Sequence, residues 1–347
     1  MAPVAYLSHR ASLDHDTGAH PERSARITAI EAAIADHGRL PLERLEAPAA
    51  DVALLGAVHP PAHIEAIRAL AERGGGAIDH DTVASAGSYE AARHAAGGAA
   101  ALVDVLLGER SAPTGFSVAR PPGHHAEAAR AMGFCLFNSV AVAARRARDA
   151  HGCPRVLVLD WDVHHGNGTN DIFHADPGVL FVSIHQWPLY PGTGPASDAG
   201  TGAGLGHTVN LPVPAGTDDE GYLALVEQVI APLARAYRPG LLLISAGFDA
   251  HRDDPLADVA LSTDGFAAMT HALRRVAGEL DVPVGAVLEG GYDLDALGDS
   301  VVATLEALGA DTPADANGGP SEHPLVVEAR ARVARYWPEL SGRTSVT

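Results

Sequence analysis

Short runs of apolar residues alternate along this chain with longer stretches in which apolar residues recur every three or four positions. The periodic stretches predict helices at residues 22–36, 63–71, 89–107, 138–150, 222–236 and 265–280. The apolar runs predict strands at residues 115–120, 155–160, 179–185, 208–211, 241–245 and 284–288. Strands rich in Val, Ile and Leu and separated by helices are typical of a mostly parallel sheet covered on both faces. The pattern therefore predicts an α/β fold, with its functional site at the carboxyl ends of the strands.

The same pattern shows no boundary between domains before residue 308. Residues 309–324 are rich in Ala, Asp, Gly and Pro and predict a linker, and residues 325–336 predict a short helix. We therefore expect one domain over residues 1–308, followed by a linker and a C-terminal helix over residues 309–347.

The composition and charge of the chain argue against a nucleic-acid-binding or membrane protein. The 347 residues include 43 Asp and Glu against 24 basic residues, all of them Arg, so the formal net charge is −19. Without a dense basic stripe, the chain is not expected to bind nucleic acid. The only cysteines, Cys135 and Cys153, lack CxxC spacing, and neither a signal peptide nor a long apolar run is found. We expect a soluble cytoplasmic protein without a membrane partner.

Two carboxylates and one imidazole follow predicted strand ends. Asp162 and His164 are two residues apart after strand 155–160, a spacing that can point both side chains the same way. Asp249 follows strand 241–245. Such a three-ligand set suits a catalytic metal site, and zinc, iron(II), cobalt or manganese would all fit it. Each acid alone is equally consistent with a helix cap or a turn, but the combination favours a metal site.

Adjacent histidines, His124 and His125, follow strand 115–120. One imidazole of such a pair can act as a general base beside the metal, provided that an acceptor fixes its tautomer. Asp160 and Asn167 are the candidate acceptors. Tyr292, after two glycines, is a candidate donor to an oxyanion, although its segment alone favours a packed tyrosine. The scattered histidines of the N-terminal region are expected at the surface or at caps: His9, His15, His59, His63 and His80.

Five motifs resemble the histone deacetylase family, most closely its class II branch and the bacterial histone-deacetylase-like amidohydrolases. They are RPPGHHA at 120–126, GFCLFNSVAVAA at 133–144, DWDVHHGNGT at 160–169, SAGFDA at 245–250 and LEGGY at 288–292. The resemblance covers about residues 5–308, in family order. It implies the arginase/deacetylase fold, a single α/β domain with a central parallel sheet and helices on both sides.

The resemblance also implies a role for each matching residue. Asp162, His164 and Asp249 would bind zinc, and His125 would act as the general base and then the acid. Asp160 would pair with His124 and Asn167 with His125, and Tyr292 would stabilise the oxyanion. The substrate channel would be formed by Phe134 and Tyr190 as walls, Leu256 at the mouth, Asp81 at the rim and Arg23 near the inner end. Relatives also bind K⁺ through the carbonyls of Asp160, Asp162, His164 and Ile184, near Ser183.

The function implied is hydrolysis of an acetyl or other short acyl amide on a lysine side chain of a peptide or protein. Acetylpolyamines are the alternative substrate. Polyamine-selective class II relatives place an acid at the position of Leu256, so this residue favours acyl-lysine. A non-catalytic binding protein on the same scaffold would lack a ligand, the base or the tyrosine, and none is missing. Self-association into a homo-oligomer is left open.

Overall fold

A computed structural model describes residues 1–108, 113–314 and 323–341 of the protein. The strands are β1 Val4–Ser8, β2 Leu42–Glu46, β3 Gly75–Ala77, β4 Val83–Ser85, β5 Thr114–Ser117, β6 Val156–Asp160, β7 Val179–Gln186, β8 Thr208–Val213, β9 Leu241–Ala246 and β10 Val284–Leu288. The helices are α1 Ala25–His37, α2 Val52–Leu55, α3 Pro61–Glu72, α4 Ser88–Leu107, α5 Ser139–His151, α6 Asn167–Phe173, α7 Asp219–Leu225, α8 Ala231–Tyr237, α9 Thr263–Leu280, α10 Leu294–Gly309 and α11 Pro324–Val333.

Within the described residues, eight strands form one parallel sheet in the order β2-β1-β5-β10-β9-β6-β7-β8. The two short strands β3 and β4 pair separately as an antiparallel hairpin. In the middle of the large sheet, β5, β10, β9 and β6 are direct neighbours. The loops that follow their carboxyl ends therefore meet at one edge of the sheet, where an α/β fold places its site.

Helices cover both faces of the sheet, as the apolar strands predict. In β6, Leu157 packs into the core shared with α1, α9 and α10, whereas Val156 and Val158 pack into the opposite core with α4 and α5. This alternation follows from the two-residue period of a strand. Because both faces are buried, every residue of β6 is buried.

The structure adds elements that periodicity did not predict. Strand β2 has no apolar run that would predict it. It is an edge strand with the charged sequence LERLE, and its residues are exposed or half-buried. Strand β1 and helices α6 and α10 were also absent from the predicted pattern. The predicted helix at residues 222–236 is divided into α7, a π turn at Val226–Ile230 and α8.

The C-terminal part of the chain packs on the same core as the rest. Val326, Ala329 and Val333 of α11 are buried in the cluster that contains Tyr222. Residues 315–322 of the predicted linker lie outside the described residues, and the division of the chain at residue 308 stays a prediction. Within the described ranges, no helix has the length and apolar character needed to cross a membrane.

Candidate active site

The predicted metal ligands, the histidine pair and the candidate oxyanion donor follow the carboxyl ends of the four central strands. His124 and His125 follow β5, and Asp162 and His164 follow β6. Asp249 follows β9, three residues after its last residue, and Tyr292 follows β10. Residues far apart in the sequence are thus brought to one edge by the parallel order of the sheet.

Asp162, His164 and Asp249 form a buried three-residue cluster. Their potential ligand atoms all lie within 4.8 Å of one another. Nδ1 of His164 is 3.1 Å from Oδ1 of Asp162 and 3.1 Å from Oδ2 of Asp249. Two carboxylates and one imidazole are oxygen and nitrogen ligands that zinc and related divalent ions accept, with positions left for water and substrate. The residues present therefore fit a catalytic metal ion.

Backbone groups hold the two carboxylates in place. The N–H of Gly290 donates to Oδ2 of Asp162 at 2.9 Å, and the N–H of Val163 donates to Oδ1 of Asp249 at 3.0 Å. A Cβ atom at Gly290 would lie 2.2 Å from Oδ2 of Asp249, and one at Gly247 would lie 2.1 Å from Oδ2 of Asp162. Glycine is needed at both positions because the backbone approaches the carboxylates closely.

Each histidine of the pair has the partner that the sequence analysis expects. Nδ1 of His124 lies 2.9 Å from Oδ2 of Asp160, and Nδ1 of His125 lies 2.8 Å from Oδ1 of Asn167. The side-chain N–H of Asn167 donates to Oε1 of Glu127 at 2.9 Å, and the amide oxygen of Asn167 therefore faces His125. His125 therefore carries its hydrogen on Nδ1, and its Nε2 is left with a free lone pair.

The two imidazoles differ in protonation because their neighbours differ. Burial opposes a charge on His124, but the carboxylates of Asp162 and Asp160 outweigh burial and raise the pKa of His124 well above its ordinary value. Burial, together with the nearby imidazoles of His124 and His164, lowers the pKa of His125 well below its ordinary value. The arrangement pairs a charged His124 with a neutral His125.

A cavity of about 220 Å³ leads from the surface to this cluster. It is lined by Asp81, His125, Gly133, Phe134, His164, Leu189, Tyr190, Leu256 and Tyr292. The rings of Phe134 and Tyr292 lie 5.7 Å apart and perpendicular, and those of Tyr190 and His125 lie 5.2 Å apart and perpendicular. Aromatic side chains thus line a narrow passage that ends at His164.

Phe134 occupies its place through an unusual backbone conformation. Its φ of 69° lies in the left-handed region, which a bulky side chain rarely adopts. The N–H of Phe134 donates to Oγ1 of Thr82 at 3.1 Å, which holds this conformation. A Cβ at the preceding Gly133 would lie 2.4 Å from the His125 ring, so this glycine lets the loop pass directly over the imidazole.

The structure corrects the prediction for Arg23. This side chain is exposed and does not line the cavity, whereas Arg26, three residues later in α1, is fully buried. The Arg26 guanidinium lies 5.0 Å from the centre of the Tyr292 ring, and its Nε donates to the carbonyl of Gly291 at 2.6 Å. The first turn of α1, rather than the segment before it, presents an arginine to the inner end of the site.

A buried acid that no local pattern predicted connects the loop after β5, strand β9 and the loop after β10. Oε2 of Glu289 accepts the N–H of Gly123 at 2.6 Å and of His124 at 3.0 Å, while Oε1 accepts the hydroxyl of Ser245 at 2.9 Å. Glu289 is fully buried, and burial raises its pKa. Glu289 directly follows an apolar strand. An acid at such a position is expected to be buried, and a buried acid needs hydrogen-bond partners.

Three of the N-terminal histidines are buried rather than exposed. His15 lies 2.6 Å from the hydroxyl of Ser88 and 3.4 Å from Glu22, which also pairs with Arg120. The expectation of surface or capping residues is therefore wrong for His15, and also for His59 and His63. Sequence spacing carried no signal for Ser88, Ala128 and Leu136, the partners of His15, His59 and His63, because they lie about 70 residues away in the chain.

Comparison with known proteins identifies the class. Residues 20–308 match the family model described as histone deacetylase domain. The chain belongs to the histone deacetylase family. It is 40% identical over 307 residues to a probable deacetylase of Methanothermobacter thermautotrophicus, covering 87% of this chain and 90% of that protein. It is 42% identical over 279 residues to the histone deacetylase-like amidohydrolase of Pseudomonas aeruginosa, covering 78% of this chain and 71% of that protein.

A solved structure of the family confirms the fold. The crystal structure of the HDA15 HD domain superposes with a TM-score of 0.89 at 36% identity, covering 98% of this chain and 96% of that one. The resemblance stated from the motifs and the predicted arginase/deacetylase fold are both confirmed. Membership of the histone deacetylase family makes this protein a hydrolase of the deacetylase or amidohydrolase type that acts on acetylated substrates.

Proposed function

We propose that this deacetylase is a zinc-dependent enzyme that removes acetyl or other short acyl groups from lysine side chains of peptides or proteins. The observation that carries the proposal is one arrangement: Asp162, His164 and Asp249 form a buried cluster, and His164 lines a narrow cavity together with His125 and Tyr292. Zinc is proposed because the three side chains supply the ligands of a catalytic zinc site. When bound, the ion would supply Lewis-acid polarisation of the amide carbonyl and of a water molecule.

His125 is proposed as the general base. Its Nε2 has a free lone pair because Nδ1 faces the oxygen of Asn167. Nε2 takes a proton from the attacking water, and the resulting imidazolium is stabilised by its hydrogen bond to Asn167. The charged His124, held by Asp160, keeps His125 neutral before the reaction.

Tyr292 is proposed to stabilise the oxyanion that develops on the acyl oxygen. Its side chain lines the same cavity as His125. Burial raises the pKa of this phenol well above its ordinary value, so the hydroxyl keeps its proton and can donate it in a hydrogen bond. His125 then delivers its proton to the amine nitrogen, the C–N bond breaks, and acetate and a free amine are released.

The walls of the cavity support an aliphatic amine chain as the substrate. Phe134 and Tyr190 contribute aromatic surface that fits methylene groups, and Leu256 is apolar. An acid at the position of Leu256 would attract the second ammonium of a polyamine, and leucine does not, so this residue favours acyl-lysine over a polyamine. Asp81, half-buried beside the cavity, is proposed to accept a hydrogen bond from the substrate backbone.

Acetate release from two substrates tests the proposal. Zinc-loaded enzyme is given an acetyl-lysine peptide and an N-acetylated diamine side by side. We expect turnover of the peptide, and turnover of the diamine alone would instead assign the alternative acetylpolyamine amidohydrolase. If neither substrate released acetate, the deacylase assignment would be contradicted.

Replacement of His125 by Ala is expected to lower kcat by about 100- to 10,000-fold, the range for loss of a general base. The matched control is His37→Ala, since the imidazole of His37 pairs with Glu306 and lies outside the cavity lining. Near-normal turnover by the His125 variant would show that another group takes the proton.

K⁺ at the backbone carbonyls, the cytoplasmic location and self-association stay predictions.

A further inference from the structure

Asp254 is a buried carboxylate in the loop between β9 and α9 that the proposed mechanism does not use. Its Oδ1 accepts the N–H of Leu256 at 3.0 Å. Its Oδ2 accepts the N–H of Tyr292 at 2.6 Å and the N–H of Asp293 at 3.3 Å. One side chain therefore satisfies three backbone donors on two different loops.

Both loops contribute to the cavity. Leu256, on the loop after β9, and Tyr292, on the loop after β10, line the same cavity. Asp254 accepts the backbone N–H of each, so it connects the backbone that carries Leu256 to the backbone that carries Tyr292.

The backbone of Tyr292 needs such a partner because regular structure does not hold it. β10 ends at Leu288, and α10 begins only at Leu294. Between them, Gly291 has a φ of 120°, a conformation that turns the chain and that side chains rarely allow. The segment from 289 to 293 is therefore positioned by hydrogen bonds from elsewhere. Arg26 donates to the carbonyls of Glu289 and Gly291, and the Asp254 carboxylate accepts the N–H of Tyr292.

We propose that Asp254 is a positioning residue that holds the Tyr292 hydroxyl against the acyl oxygen and couples it to Leu256. The inference rests on the proposed role of Tyr292. A carboxylate is suited to this task because its two oxygens together accept three N–H groups. Asparagine, with one accepting oxygen and two donor hydrogens, cannot satisfy both loops and would place a donor against a backbone N–H.

A double-mutant cycle tests the proposal with one acetyl-lysine peptide and four zinc-loaded proteins: wild type, Asp254→Asn, Tyr292→Phe and the double variant. Tyr292→Phe is expected to lower kcat by about 100-fold or more, as for loss of an oxyanion donor. Asp254→Asn is expected to lower kcat by about 10- to 100-fold with KM changed less than about 3-fold, because the lost contact acts in the transition state. In the Tyr292→Phe background, Asp254→Asn should change kcat by less than about 3-fold, since the hydroxyl it positions is gone.

The control is Asp253→Asn, which makes the same chemical change at an exposed neighbouring position in the same loop. It should leave kcat within about 2-fold of wild type. Zinc content and the thermal unfolding midpoint are measured for each variant. If Asp254→Asn does not fold, Asp254→Ser, which keeps one accepting oxygen, replaces it in the cycle.

The outcomes separate the two proposals. Equal fold-losses for Asp254→Asn in both backgrounds would overturn the positioning role while leaving the role of Tyr292 intact. A loss confined to KM would also overturn it. Full activity of Tyr292→Phe would contradict the proposed oxyanion donor, and the inference about Asp254 would fall with it.

Discussion

At the scale of single residues, the site depends on which neighbours each side chain has. His124 and His125 are adjacent and identical in type, yet the first faces Asp160 and the second faces Asn167. A carboxylate stabilises imidazolium, whereas an amide oxygen fixes a tautomer without adding charge. The carboxylates of Asp162 and Asp160 favour the charged form of His124, whereas burial and the imidazoles of His124 and His164 keep His125 neutral.

Replacing Asn167 by Asp should move the pH dependence of the reaction. A carboxylate beside His125 stabilises its imidazolium and raises its pKa, which is now lowered by burial and the neighbouring imidazoles. The acidic limb of kcat/KM should shift to higher pH by about one unit or more, since it reports protonation of the base. The measurement is a pH profile of kcat/KM, with Asn170→Asp in the same helix as control. An unmoved acidic limb would contradict the assignment of His125 as the base.

Replacing Asp249 by Ala should weaken zinc binding. It removes one of three proposed ligands, and loss of outer groups alone already lowers metal affinity by up to about 100-fold. We expect a loss larger than that, measured by competition with a chromophoric chelator. Asp253→Ala, four residues further along, is the control and should keep the wild-type affinity. Unchanged affinity of the Asp249 variant would remove this residue from the ligand set.

At the scale of elements, helix α3 stabilises the loop that carries His125. Nδ1 of His59, just before α3, lies 3.0 Å from the carbonyl of Ala128, and its Nε2 accepts the N–H of Asn138 at 2.9 Å. His63 in α3 lies 2.9 Å from the carbonyl of Leu136. Both histidines thus connect α3 to the segment between the histidine pair and α5.

His59 should make the stability of the fold sensitive to acid. Burial lowers its pKa from 6.5 to about 4, so the folded protein binds this proton less readily than the unfolded chain. The contribution is present above pH 6.5 and is lost as the pH falls toward 4. Between pH 7 and pH 5 it amounts to about 2 kcal/mol.

The measurement is the free energy of unfolding in urea at pH 7 and pH 5. His59→Asn cannot titrate and keeps a donor for Ala128, so it should lose about 2 kcal/mol less than wild type over this interval. His80→Asn, at an exposed position, should behave like wild type. Identical pH dependence in wild type and the His59 variant would show that His59 does not titrate on unfolding.

At the scale of the whole molecule, charge should affect the encounter with substrate. The net charge is −19, and Asp79 and Asp81 lie together beside the cavity, with Asp81 in its lining. A negative potential raises the local concentration of cationic substrates and is screened by salt.

The rate constant kcat/KM for an acetyl-lysine peptide with flanking arginines should therefore fall with ionic strength. Raising NaCl from about 0.05 to about 0.5 M should lower it several-fold, because the Debye length shrinks below the distance over which steering acts. The same peptide with flanking glutamates is the control and should show no decrease. A fall of equal size for both peptides would indicate a general salt effect on the enzyme.

The sequence by itself determined the architecture of the sheet interior, and it predicted the candidate catalytic side chains. Strands β6 and β10 are apolar on both faces, so their runs of apolar residues predicted strands without any knowledge of the neighbouring strands. The bounds predicted for β10, Val284–Leu288, are those observed. Asp162 and His164 were recognisable because their spacing is local and follows a strand end. The contiguous motifs then indicated the family.

Only the tertiary structure decided which residues contact the candidate catalytic side chains and hold their loops in place. It replaced Arg23 by Arg26, revealed Glu289 beneath His124, and placed Asp254 against Tyr292. Glu289 and His124 are 165 residues apart in the chain. Local patterns report the strand or helix that a residue occupies, whereas the partner of a buried polar group depends on which loops the sheet order brings together.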